Sequence, residues 1–182
     1  MTSGRFATAS RLTARTLLVL GIAAASVVGC APEPAPTPTP TPAFASEEDA
    51  FAAAEEVYRA YNDALNAERS ADPSTDPRQY LVWSALEEEL AAKRFYQDSE
   101  LQLVGDVTFV NFEGQRAEIR ADSARVEARV CLDVSGTAVV SNDGADVTPA
   151  ERPARVLLLV TFVGAPPHLS ITASELVEGG TC

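Results

Sequence analysis

Cations, histidine, cysteine and long apolar runs are all scarce in this chain of 182 residues, and each shortage closes off a class of function. Fourteen Lys and Arg stand against 26 Asp and Glu, a formal net charge of −12. So acidic a surface repels phosphate and has no counterion release to drive the contact, which excludes nucleic acid as a partner. One histidine and three cysteines are too few for a closed four-ligand zinc site. No calcium loop can be built around Asp133 with Asp122 or Asp106, so no metal and no cofactor is expected. There is neither a Gly-rich phosphate loop nor a G-x-S-x-G nucleophile elbow. What is present, 46% hydrophobic residues, suffices for the core of one ordinary domain.

The first thirty residues have the layout of an export signal. Arg5, Arg11 and Arg15 form a basic segment without acids, Leu17 to Val28 is mainly apolar, and Gly29-Cys30 follows. The apolar run is shorter than the roughly 20 residues needed to span about 30 Å of hydrocarbon, so cleavage is expected in place of anchoring by a helix. Residues 31–42, APEPAPTPTPTP, hold six of the twelve prolines. Alternating proline fixes φ and removes donors, which predicts an extended polyproline II spacer of about 3.1 Å per residue. Because Val27-Val28-Gly29-Cys30 resembles the bacterial lipobox, the expected division is a lipoprotein signal peptide over 1–29, a lipidated Cys and Pro/Thr-rich spacer over 30–45, and an α+β domain over 46–182. Loss of residues 1–29 removes three arginines and no acid, which leaves 11 basic against 26 acidic residues and a net charge of −15. An acidic bilayer does not attract such a domain, so its membrane contact would rest on lipid and spacer alone.

With Cys30 lipidated, Cys131 and Cys182 remain, and an even pair in an oxidising compartment reads as a disulfide. Strand phase agrees. Ala124, Val126, Ala128, Val130, Leu132 and Val134 share one face, which leaves Cys131 on the polar face, where it can catch the C-terminal tail. Closing a loop of about 50 residues stabilises by up to about 4 kcal/mol in the chain-entropy account.

Ser46, followed by Glu47, Glu48 and Asp49, predicts a helix N-cap with acids in the first turn. Phe51, Ala54, Tyr58, Tyr61 and Leu65 recur at helical spacing until Ser70 to Pro77 breaks the pattern. Asp76-Pro77 restarts helix, and Ser84-Ala85-Leu86-Glu87 has the form of a capping box for a segment ending near Gln97. Leu86, Leu90 and Phe95 are expected to face inward, with Glu87, Glu88 and Glu89 in solvent. From Glu100 the period becomes two. Strands are predicted over 101–112, 115–122, 124–134, 137–141, 155–163 and 169–177, with a turn at Gly114, a bend at Asp122-Ser123, and 156–163 covered on both faces.

Helices followed by consecutive antiparallel strands give an α+β fold, N-terminal helices on a curved sheet. This order resembles the NTF2-like, cystatin-like cone over about Phe44 to Cys182. Val27-Val28-Gly29-Cys30 resembles the bacterial lipobox, which implies lipidation of Cys30 and residence on the outer face of the cytoplasmic membrane. Val130-Cys131-Leu132-Asp133-Val134-Ser135, Asn142-Asp143-Gly144 and Arg152-Pro153-Ala154-Arg155 resemble small actinobacterial lipoproteins of unassigned function. The cone implied by the resemblance serves isomerases, hydratases and non-catalytic binders alike. Enzymes of that type place a carboxylate and aromatic hydroxyls inside it, for which Tyr58, Tyr61, Tyr80, Trp83 and Asp98 are the candidates here. Spacing instead assigns Tyr58 and Tyr61 to the core, and His168, directly after Pro166-Pro167, to a surface turn. The resulting expectation is a lipid-anchored extracytoplasmic module, non-catalytic, that binds a partner protein, a wall component or a small apolar ligand. The alternative is a small-molecule isomerase, hydratase or hydrolase.

Overall fold

The computed structural model describes residues 41–72 and 75–182; the expected export signal, Cys30 and most of the expected Pro/Thr spacer lie outside the described residues. The first helix, α1 (Glu47–Arg69), starts where the sequence predicts, because the Ser46 side chain accepts from the Asp49 amide at 3.1 Å. Packing begins slightly earlier: Phe44 is already in the core and the Ala43 amide donates to the Arg120 carbonyl. A short 3-10 helix over Pro77–Tyr80, capped by Asp76, leads to α2 (Trp83–Asp98). Six strands follow, β1 (Leu101–Gly105), β2 (Thr108–Ile119), β3 (Ala124–Asp133), β4 (Thr137–Ser141), β5 (Arg155–Ala165) and β6 (His168–Leu176). They form an antiparallel four-stranded sheet in the order β2-β3-β5-β6 and an antiparallel pair, β1-β4. This is the α+β arrangement of helices on antiparallel sheets that the sequence predicts.

Alternation decides what is buried. Val126, Ala128 and Val130 on β3 and Val160 and Phe162 on β5 lie opposite one another and are fully buried beneath Ala50, Ala54 and Tyr58 of α1. Register shifts on β2 between Phe109 and Asn111 and between Gly114 and Arg116 add local twist, which wraps the sheet edge around the helix. The predicted bend at Asp122-Ser123 is the tight connection between β2 and β3, where the Arg120 amide donates to the Ser123 carbonyl.

Four expectations need correction. The strand expected over 101–112 is two strands, because Gly105 takes φ +83° and the chain crosses there from the small sheet to the large one. The crossing is fixed from α1: Asn62 and Asn66 donate to the Val107 carbonyl at 3.0 and 2.9 Å, and the Val107 amide donates back to Asn66. The turn expected at Gly114 is absent; glycine is needed there because a Cβ would collide with the Phe51 ring. In α2, Ser84 does not cap. Its hydroxyl donates to the Thr172 carbonyl at 2.7 Å, Val82 provides no capping side chain, and Ala85 is the helix's buried residue. Phe95 is 61% exposed where it was expected inward, while Glu89 is half-buried where it was expected in solvent. Finally, β5 is central but is not doubly covered along its whole length: Leu157 and Leu159 point away from the core and stay half-exposed, with the C-terminal tail beside Leu157.

The disulfide is present. Cys131 and Cys182 are bonded, with Cα atoms 5.6 Å apart, and the tail they tie down covers Cys131. The two motifs flanking it are structural: Arg152 donates to Thr137 Oγ1 at 2.8 Å and to the Val134 carbonyl at 3.0 Å, and Arg155 pairs with Asp133 at 3.4 Å. Among the described residues no helix is long and apolar enough to cross a membrane.

Candidate functional site

Tyr58 lies inside the fold, 2% exposed, with the rings of Tyr61, Phe109 and Phe162 at 5.8, 6.1 and 6.5 Å. Burial pushes its hydroxyl far above the ordinary tyrosine value. These rings fill the space where a cone would open, and the buried polar residues described are Asn62, Thr137, Thr161 and Thr172, with no carboxylate among them. Asp98 lies exposed at the end of α2, remote from that interior. Tyr80 is half-buried, His168 exposed at the start of β6, and Trp83 68% exposed. The sequence candidates are thus dispersed, with one exception.

The exception is Tyr61, whose neighbour Glu89 lines a cleft between the C-terminal half of α1, α2 and β1. A cavity of about 410 Å³ there has an apolar floor from Leu65, Ala92, Leu103 and Val104 and a charged rim from Glu68, Arg69, Glu89 and Lys93. The Tyr61 hydroxyl is pushed far up, first by burial and then by the charge of the nearby Glu89 carboxylate. Burial raises Glu89 above the usual carboxylate range, and the neighbouring Glu68 charge adds to this; Arg69, Lys93 and Arg78 partly offset both. Arg69 is lowered by burial, the opposite sign for a cation, and donates to Asn66 Oδ1 at 2.7 Å. Lys93 reaches Glu68 at 2.6 Å and Arg78 reaches it at 3.6 Å, so the rim is an ion-pair network that joins α2 to the end of α1.

The sequence reading missed Glu89, Arg69 and Lys93 as a group, although a trace was there. Continuing the α1 stripe past Leu65 by three or four residues falls on Glu68 and Arg69, and continuing the α2 stripe from Leu86 falls on Glu89 and Lys93. Charges on an inward stripe mark a cleft. Chemically, the arrangement offers an apolar slot with a charged rim, suited to holding a small amphipathic molecule. Among the described residues no group of His, Cys, Asp and Glu is disposed to hold a metal ion.

No protein-family profile matches the chain, and no curated protein matches it in sequence. A solved structure with a related course of the chain is the intermembrane space region of the chloroplast protein ARC6, 11% identical, with the match covering 70% of this chain and 95% of that one at a TM-score of 0.48. At that identity and score the likeness carries no argument about ligand or activity.

Proposed function

We propose that the protein is a lipid-anchored extracytoplasmic binding module, acylated at Cys30, held off the outer face of the cytoplasmic membrane by its Pro/Thr spacer, and acting by non-covalent contact. What it contacts is a partner protein, a wall component or a small apolar ligand. The observation that carries this reading is the pairing of the cysteines. Of three, two close the Cys131–Cys182 bond typical of an oxidising compartment, and the third is Cys30, directly behind a basic and apolar leader. The packed interior supports binding at the surface over turnover inside. A catalytic alternative, an isomerase, hydratase or hydrolase, would have to use Glu89 in the cleft of about 410 Å³, with Tyr61 beside it.

The test is expression of the full chain and of Cys30→Ala in an actinobacterial host fed labelled palmitate. The native chain should take up label and sediment with membranes, whereas Cys30→Ala should take up none and keep its leader or leave the membrane. Equal labelling and partition of the two chains would overturn the anchor.

A further inference from the structure

Trp83 combines two features that nothing inside the fold requires. It is 68% exposed, and its φ is +53°, in the left-handed region where a bulky residue is strained. The other two non-glycine residues with positive φ among those described, Ala71 and Glu100, follow the ends of α1 and α2, where left-handed caps are usual. Trp83 instead stands at the first residue of its helix. The chain must reverse there, because Leu81 bridges Ile171 in parallel and the Val82 amide donates to the Ile171 carbonyl just before α2 departs. Glycine or asparagine would make that reversal with less strain.

Trp83 lines a cavity of about 380 Å³ together with Glu118, Arg120, Arg125 and Gly164. Arg120 is exposed and forms no ion pair among the described residues, while Arg125 is held 3.3 Å from Glu127 and Glu118 2.7 Å from Arg116. The lining carries Arg120 and Arg125 against Glu118, with Asp122 in the adjoining turn, so this corner is far less acidic than the domain as a whole. An open indole face, a free guanidinium and a carboxylate acceptor together match one kind of molecule. A sugar ring has an apolar C–H face to lie on the indole, hydroxyls to donate to Glu118, and, if carboxylated, an anion for bidentate contact with Arg120. An acidic peptide of glutamates would satisfy the arginines but offer no ring face to the indole.

We propose that the cleft formed by Trp83, Arg120, Arg125 and Glu118 is a binding site for an anionic glycan, with a sugar ring stacked on the indole and its carboxylate held by Arg120. This rests on the extracytoplasmic reading only for the ligand's availability; acylation of Cys30 is measured separately, so either can fail without the other.

The chain has a single tryptophan, so its fluorescence reports this site alone. The full-length protein in detergent is titrated with a six-sugar oligosaccharide alternating glucuronate and N-acetylglucosamine, with neutral chitohexaose, and with hexaglutamate. The uronate oligosaccharide should shift the emission saturably, weaken with added salt, and bind roughly tenfold or more tightly than either control. Trp83→Gly relieves the backbone while deleting the ring, so by calorimetry it should lose about tenfold or more in affinity with its Tm unchanged or raised. Arg120→Ala should lose a comparable amount. No saturable shift with the uronate chain, hexaglutamate binding as tightly as it, or a Trp83→Gly protein that binds like the native one would each overturn the proposal.

Discussion

The two helices share β1 and β6 as neighbours and are held to the strands in opposite ways. α1 buries Ala50, Ala54, Tyr58, Asn62 and Ala64, has a bonded N-cap, and hooks the β1–β2 crossing through two asparagines. α2 buries Ala85, has no side-chain cap, leaves Trp83 and Phe95 exposed, and is joined to α1 through charged side chains at the rim of a cleft. The contrast separates scaffold from surface. Burial and saturated backbone hydrogen bonds fix α1 as part of the core, whereas the weakly buried α2 borders both of the clefts described.

The largest way to break the α1 side is to empty its core. Phe162→Ala should destabilise by about 3–5 kcal/mol in denaturant unfolding, because the ring is fully buried against Tyr58 and Phe112. Reducing the Cys131–Cys182 bond should lower stability by up to about 4 kcal/mol and loosen the sheet far from either helix; equal melting temperatures with and without reductant would contradict it. Asn66→Ala strips the Val107 amide of its acceptor and Arg69 of its partner, and should cost about 1–3 kcal/mol with the local effect confined to the β1–β2 crossing, as read by hydrogen exchange. The smallest effect should come from the α2 side. Glu89 is raised in the folded state, so the native protein binds more protons than the unfolded chain between the ordinary carboxylate value and the raised one. Its stability contribution therefore improves as pH falls through that window, and native minus Glu89→Gln stability should rise from pH 7 toward pH 5, as measured by Tm at each pH.

α1 was legible because its burial follows an unbroken 3.6-residue stripe and its cap is local, from Ser46 to Asp49. The strand phase of Val126, Ala128 and Val130 was legible for the same reason, and it placed Cys131 correctly for its bond. The misses share a different cause. Gly105 and Gly114 are both glycines in a strand pattern, but one turns the chain and the other receives the Phe51 ring, and only the partner distinguishes them. Ser84 fits a capping box yet bonds Thr172, 88 residues away, and Glu89 reads as solvated until Tyr61 and Arg69 are brought against it. The left-handed turn at Trp83 is imposed by the bridge between Leu81 and Ile171, which no local pattern records.

The most direct test of the anchored-module account is the intact mass of the full-length chain extracted from the membranes of an actinobacterial host. The account predicts the mass of residues 30–182 plus a diacylglyceryl group on Cys30, two daltons below the fully reduced value. An unmodified Cys30, or an N-terminus at any other residue, would contradict it.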